Sequence, residues 1–281
     1  MSAVEPDHGV KPGHGAKPGH GAKPARGVKP ASGAPSPGGI FPLLLLAGRP
    51  ASGKSEILEY LRRTPATERR RRFRIGELAV LDDFPLLWAW FEEDHLLADM
   101  GRERLHTTPE GYFLGPHLWD LLVRRLCLEY DKLGRADPQL HGRATVLLEF
   151  SRGKEHGGYA RAFAQLSEAV LQRLAVIYVR VSFQESLRKN RRRFNPERPH
   201  SILEHGLPDE KLARLYREDD WGECSAADSR FLPIRGRRVP YAVFENEADL
   251  TTPGGEPLGE RLEKVLGGLW TLAAGGEPFV S

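Results

Sequence analysis

The sequence predicts an α/β fold of three layers, a five-stranded parallel sheet between two sheets of helices, and three observations predict it. Short continuous apolar runs recur along the chain, each the length of one strand. Stretches with apolar residues at helical spacing separate them, long enough for the crossovers that parallel strands require. With 40% hydrophobic and 28% charged residues, the chain can also bury a continuous core.

The elements follow in order. Residues 1–39 hold a hexapeptide repeat, with Lys-Pro at Lys11, Lys17, Lys23 and Lys29 and His-Gly at His8, His14 and His20. So few apolar groups cannot offset the entropy of ordering, so a disordered tail is expected there and one domain over 40–281. Ile40 to Ala47 is the first strand, apolar throughout as a strand covered on both faces must be. A helix from about Gly53 to Arg63 follows, with Ile57, Leu58 and Leu61 on one face before Pro65. Leu78 to Leu81 is the second strand, ending at Asp82 and Asp83, and Thr145 to Phe150, Ala175 to Val181 and Val239 to Phe244 are the remaining three. Residues 84–132, rich in aromatics, are expected to form a mainly helical insertion between the second and third strands.

The segment with the sharpest chemistry joins the first strand to the first helix. Gly48-Arg49-Pro50-Ala51-Ser52-Gly53-Lys54-Ser55 fits GxxxxGK[ST], in the strand-to-helix context that this motif needs. Gly48 and Gly53 permit a loop whose backbone N–H groups, with those of Ala51 and Ser52, turn inward on phosphate oxygens. The positive end of the helix dipole favours the same anion. Lys54 is expected to reach the β- and γ-phosphates of ATP and the Ser55 hydroxyl to take one position on Mg²⁺. Glu149, at the end of the third strand, is the candidate second metal ligand, held through water.

On these residues the chain resembles the P-loop kinase group that includes adenylate, shikimate, gluconate and deoxynucleoside kinases. The resemblance runs from the first strand to about Leu250 and implies strand order 2-3-1-4-5. It implies a substrate or base carboxylate at Asp82 and Asp83, of which Asp83 is preferred as base. Alternate side chains point to opposite faces, so one of the two faces the cleft, and the sequence does not decide which. The Glu149-Phe150-Ser151-Arg152 segment is similar to the acid-then-arginine motif of the group, which makes Arg152 a substrate contact. Residues 184–221 stand where the group carries an arginine-rich lid, with Arg188 and Arg192 four apart on one helical face and aimed at the phosphates. In the insertion, Arg102 and Arg104 are candidate acceptor contacts, and Asn246, after the fifth strand, a candidate contact to the adenine. The implied activity is transfer of the γ-phosphate of Mg·ATP to a small acceptor, a nucleoside or nucleotide among the choices. An ATPase that couples hydrolysis to conformational change or to a partner is the alternative.

Other classes are disfavoured. The net charge of +3 is matched by the tail, where Lys11, Lys17, Lys23, Arg26 and Lys29 face Glu5 and Asp7, so the domain has no basic excess for nucleic acid. Arg69 to Arg72 and Arg74 read as a solvated run. No run approaches the ~20 apolar residues of a membrane span, and the amino terminus lacks an apolar leader, so a cytoplasmic protein with no membrane partner is expected. Cys127 and Cys224 form neither a disulfide framework nor a zinc pattern. No Asn/Thr-Lys-x-Asp motif supports GTP over ATP. Oligomeric state is not written in the sequence.

Overall fold

A computed structural model describes residues 39–193 and 206–275. The tail expected over 1–39 lies outside the described residues up to residue 38, as do 194–205 of the expected lid.

The central apolar runs become strands buried on both faces, and the run at Glu77–Asp82 forms a partly buried edge strand. They are β1 (Leu43–Gly48), β2 (Glu77–Asp82), β3 (Ala144–Phe150), β4 (Leu174–Arg180) and, after a short β5 (Phe231–Ile234), β6 (Arg237–Glu245). Helices α1 (Lys54–Arg63) and α2 (Ala66–Phe73) join β1 to β2. Between β2 and β3 lie α3 (Phe84–Asp99), α4 (His117–Ala136) and α5 (Leu140–Arg143). Then come α6 (Gly158–Ala164) and α7 (Glu168–Leu171) before β4, and α8 (Phe183–Arg193), α9 (Asp209–Tyr216) and α10 (Trp221–Ser225) before β5. Helix α11 (Gly255–Ala273) closes the described chain.

The sheet has six strands rather than five, in the order β2-β3-β1-β4-β6-β5. Five are parallel, and the order differs from the expected one by the added edge strand β5, which pairs antiparallel with β6. Arg235 and Gly236, at φ 49° and 76°, make the two-residue turn of that hairpin. Pro233 sits on the edge strand, where a missing N–H costs nothing.

One face of the sheet, through Leu44, Leu46, Leu147 and Ile177, packs on Ile57 and Leu61 of α1, Phe73 of α2 and Leu262 and Leu266 of α11. The other, through Leu45, Val146, Leu148 and Val176, packs on Val123 and Leu126 of α4, Phe163 of α6 and Trp221 of α10. The result is an α/β/α sandwich. From β1 the chain leads towards β2, and from β4 towards β6. The carboxyl ends of β1 and β4 therefore mark the point where a doubly wound sheet opens a crevice. Among the described residues no helix is long and apolar enough to cross a membrane.

Within the insertion, residues 100–116 form an irregular strap between α3 and α4. Helix α3 is apolar on most sides, yet its one fully buried residue is Asp94. That carboxylate accepts from the backbone N–H groups of Leu105, His106 and Thr107, at 2.7, 3.0 and 2.5 Å, and from the Thr107 hydroxyl at 2.7 Å. Burial opposes the charge, but these bonds outweigh it and hold the acid down at about 2. Asp94→Ala strands three backbone donors and is expected to cost about 3 kcal/mol in urea denaturation. A loss below about 1 kcal/mol would show that the strap is held by its aromatic contacts instead.

Candidate functional site

The loop after β1 is built by its glycines. Gly48 has φ 152° and Gly53 φ 113°, both positive, and a Cβ on either would collide. At Gly48 it would lie 2.6 Å from the Val179 carbonyl oxygen, and at Gly53 2.6 Å from Asn246 Nδ2. Ala51 adopts φ 56°, an arrangement an L-residue holds only when its surroundings impose it. Gly53 has no side chain to cap α1. The N–H groups of the first helical turn, Lys54 and Ser55 among them, have no partner within the helix.

Lys54 is buried, with 5% of its surface exposed, and its ammonium sits in the mouth of the loop. It donates to the carbonyls of Gly48 and Arg49 at 3.2 and 3.0 Å and to Ser151 Oγ at 2.9 Å, with Glu149 Oε1 4.0 Å away. Burial pushes its pKa down, against the pull of Glu149.

The acids are arranged by strand register. Asp82 pairs with Glu149, and Glu149 with Leu46, so both carboxylates leave the sheet on the α1 face, beside Lys54. Asp83, one residue on, turns the other way. It is buried, and its Oδ2 lies 2.7 Å from Arg152 Nη1, an ionic contact without an aligned hydrogen bond. Burial raises the pKa of all three acids. It is the largest effect at Asp82, reinforced by repulsion from Glu149 and Asp83, and carries that carboxyl to about 7. Of the pair that the sequence left open, Asp82 is the one beside Lys54, and the charge of Asp83 is spent on Arg152.

A cleft of about 1690 Å³ opens over this edge. Ala51, Lys54, Ser55, Asp82, Asp83, Glu149 and Arg152 line it. It continues between α3 and the strap, past Trp88, Phe91 and Tyr112, to Lys211 and Arg214 of α9. Ser55 is exposed to it at the start of α1.

Five expected site residues are not brought there. Arg188 pairs with Glu185 and Asp249 on the outer side of α8. Arg192 is 58% exposed, 3.7 Å from the same Asp249. The inner face of α8 is Ser186, Lys189, Asn190 and Arg193, spaced as one helical stripe, and Arg193 reaches the cleft as the partner of Glu56 at 2.7 Å. Arg104 is tied to Thr107 of its own strap, and Arg102 is exposed; neither lines the cleft. Asn246 is buried with its amide fully used. It donates to the Ser52 carbonyl at 2.7 Å and to Thr251 Oγ1 at 2.8 Å, and accepts from Thr251 N–H at 3.2 Å. It braces the loop from below instead of facing a base.

Two braces had no sequence signal. Arg49, inside the loop, donates to the carbonyls of Val181, Tyr216 and Arg217 and pairs with Asp219 at 2.8 Å. Ser186 Oγ donates to the Pro50 carbonyl at 2.7 Å. Asp220, next to Asp219, accepts from the N–H groups of Tyr159 and Ala160 at the start of α6.

No family model and no curated protein matches this chain. Among solved structures it is similar to one titled "Crystal structure of APE1195", at 17% identity over 81% of this chain and 97% of that one. The TM-score of 0.34 is too low for that likeness to carry any argument.

Asn246→Ala removes a buried amide and strands the Ser52 carbonyl and the Thr251 N–H. It is expected to cost about 2 kcal/mol in chemical denaturation, whereas Arg102→Ala should leave stability within about 0.5 kcal/mol.

Proposed function

We propose that this chain is a P-loop phosphotransferase that binds Mg·ATP at Gly48–Ser55 and moves the γ-phosphate to a small acceptor in the adjoining cleft. The observation that carries the reading is the Lys54 ammonium, held at the mouth of a glycine loop between a parallel strand and a helix, beside two carboxylates in register. An ammonium that caps loop carbonyls is the group that polyphosphate would draw off them, and the unpaired N–H groups of the first turn of α1 favour the same anion.

The residues fit a magnesium ion. Asp82 and Glu149 leave the sheet in register beside Lys54, and the Ser55 hydroxyl is exposed to the same cleft, so oxygen donors of the kind magnesium takes stand at the mouth of the loop. Among the described residues no group of three or more His, Cys, Asp or Glu side chains could hold a metal alone. An ion here would be held by Ser55 and Glu149 together with phosphate oxygens and water. Bound there, it would neutralise charge on the transferring phosphoryl group.

The protein's own groups supply the rest. Lys54 and Arg193 would lie against the phosphates as charge builds in the transition state. Asp82 is poised to take the acceptor's hydroxyl proton, since a base with a pKa near the working pH both exists unprotonated and holds a proton. The walls of α3 and the strap would exclude water, which competes as acceptor. That the cleft runs well beyond the glycine loop favours a kinase over a plain ATPase.

The test is ATP turnover with Mg²⁺, alone and against nucleosides, nucleotides and small sugars. Stimulation by one acceptor, lost in Asp82→Asn and on chelation of the metal, is expected. Hydrolysis indifferent to every acceptor and to Asp82 would turn the reading to an ATPase. The acceptor-dependent kcat/KM is expected to rise with pH through about 7, because Asp82 must lose its proton to act.

The same acid predicts a trade between stability and activity. Its folded value of about 7 stands above the ordinary 3.8, so its contribution to folding is complete below pH ~4 and is lost as the pH rises through about 7. Ligand-free Asp82→Asn should therefore melt higher than wild type at pH 8, by about 2 to 4 °C, with the difference shrinking towards pH 5. An equal or lower Tm at pH 8 would remove the strain assigned to this carboxylate.

A further inference from the structure

The floor of the cleft, away from the glycine loop, holds a buried hydrogen-bonding edge without a partner in the protein. Arg152 is the largest fully buried side chain of the protein among the described residues, with 2% of its surface exposed. Its Nη1 is used: it donates to the Ser151 carbonyl at 2.7 Å and meets Asp83 at 2.7 Å. Its Nε and Nη2 have no hydrogen-bond partner. Those two nitrogens share one side of the planar guanidinium, and their N–H bonds run parallel. What is left over is thus a complete two-pronged fork. A buried arginine that needed only to neutralise Asp83 would present its fork to that acid, yet here a single nitrogen does so.

The surroundings extend the pattern. The rings of Trp119 and Phe150 lie 5.2 and 4.9 Å from the central carbon of Arg152. His156 stacks on Trp119 with ring centroids 3.7 Å apart. His156 Nδ1 accepts from the Gly153 N–H at 3.3 Å, and burial and Arg152 hold the ring neutral, with its pKa near 3. The ring proton is therefore on Nε2, and Nε2 also has no partner. Arg152, His156 and Trp119 all line the cleft. Three unspent donors set beside flat aromatic rings describe what they would bind; the nearby Asp83 Oδ2, which also lacks a hydrogen bond, is held by the Nη1 side of the same arginine.

We propose that Arg152 is the specificity residue of the acceptor subsite, and that its free fork takes a flat acceptor presenting two adjacent hydrogen-bond-accepting atoms. A carboxylate on a ring has that pair, and so do the O2/N3 edge of cytosine and the O6/N7 edge of guanine. Adenine and uracil interrupt every such edge with a donor, which would face the fork donor to donor. The inference rests on reading the cleft as an acceptor site, but it concerns binding and needs no phosphoryl transfer.

It is tested by calorimetric titration of the full chain, without ATP, with benzoate, cytidine, guanosine, adenosine and uridine. At least one of the first three is expected to bind, at least tenfold more tightly than adenosine and uridine. Benzoate as the binder identifies a carboxylate, and cytidine or guanosine a base edge. Arg152→Lys keeps a cation for Asp83 but has no fork, and should weaken that binding at least tenfold. The proposal is overturned if none of the first three binds more tightly than adenosine and uridine, or if folded Arg152→Lys binds as wild type does. The preference of the wild-type chain decides the matter even if the variant does not fold. Binding with this preference but no ATP turnover would sink the phosphotransferase reading and leave the fork assignment standing.

Discussion

A single buried ammonium organises the carboxyl edge of the sheet. Lys54 satisfies two carbonyls of the loop that carries it and reaches Ser151, with Glu149 just beyond. Burial pulls its pKa down, and the carboxylates of β2 and β3 oppose this. They in turn are raised by burial, and at Asp82 by repulsion from Glu149 and Asp83 as well. The edge is thus short of positive charge beside the row of acids and short of anions at the helix terminus. A nucleotide polyphosphate with its metal ion would correct both deficits at once, and the proposed function rests on that complementarity.

The loop is also the point to which α8 and the end of α9 are tied. Arg49 ties it to the carbonyls that follow α9, and Ser186 ties it to α8. Helix α9 carries Lys211 and Arg214 to the far wall of the cleft, where both lie over Tyr112. Any shift of the loop on binding an anion would therefore be felt by the segment that walls the proposed acceptor side. The two proposed ligands would thus sit on connected backbone without having to touch the same residues.

Much of this was legible in the sequence because it depends on burial and periodicity. All five parallel strands were readable from apolar runs, since the central strands β1, β3 and β4 are buried on both faces and the half-buried edge strand β2 still packs apolar residues against both helix layers. The hairpin strand β5 escaped because four residues with a proline, FLPI, carry no period, although the Arg235-Gly236 turn between two short runs was a usable signal. The glycine loop was legible because its backbone demands specific residue types. Which of the five cations on α8 faces inward was not, since charge says nothing of direction; the polar stripe Ser186, Asn190 and Arg193 would have chosen the right face. Asn246 and Arg49 hold the loop through partners more than 130 residues away in sequence for most of their bonds, which no local pattern encodes. The choice between Asp82 and Asp83 needed the register of β2 on β3 and the position of Arg152.

The most direct test of the account is calorimetric titration of Mg·ATP into the wild-type chain and into Lys54→Ala, each checked for an intact fold by circular dichroism. The account predicts saturable binding by the wild type and at least about tenfold weaker binding by the variant, from loss of one charge-assisted contact set. Absence of saturable binding by the folded wild type, or equal affinity in the variant, would contradict it.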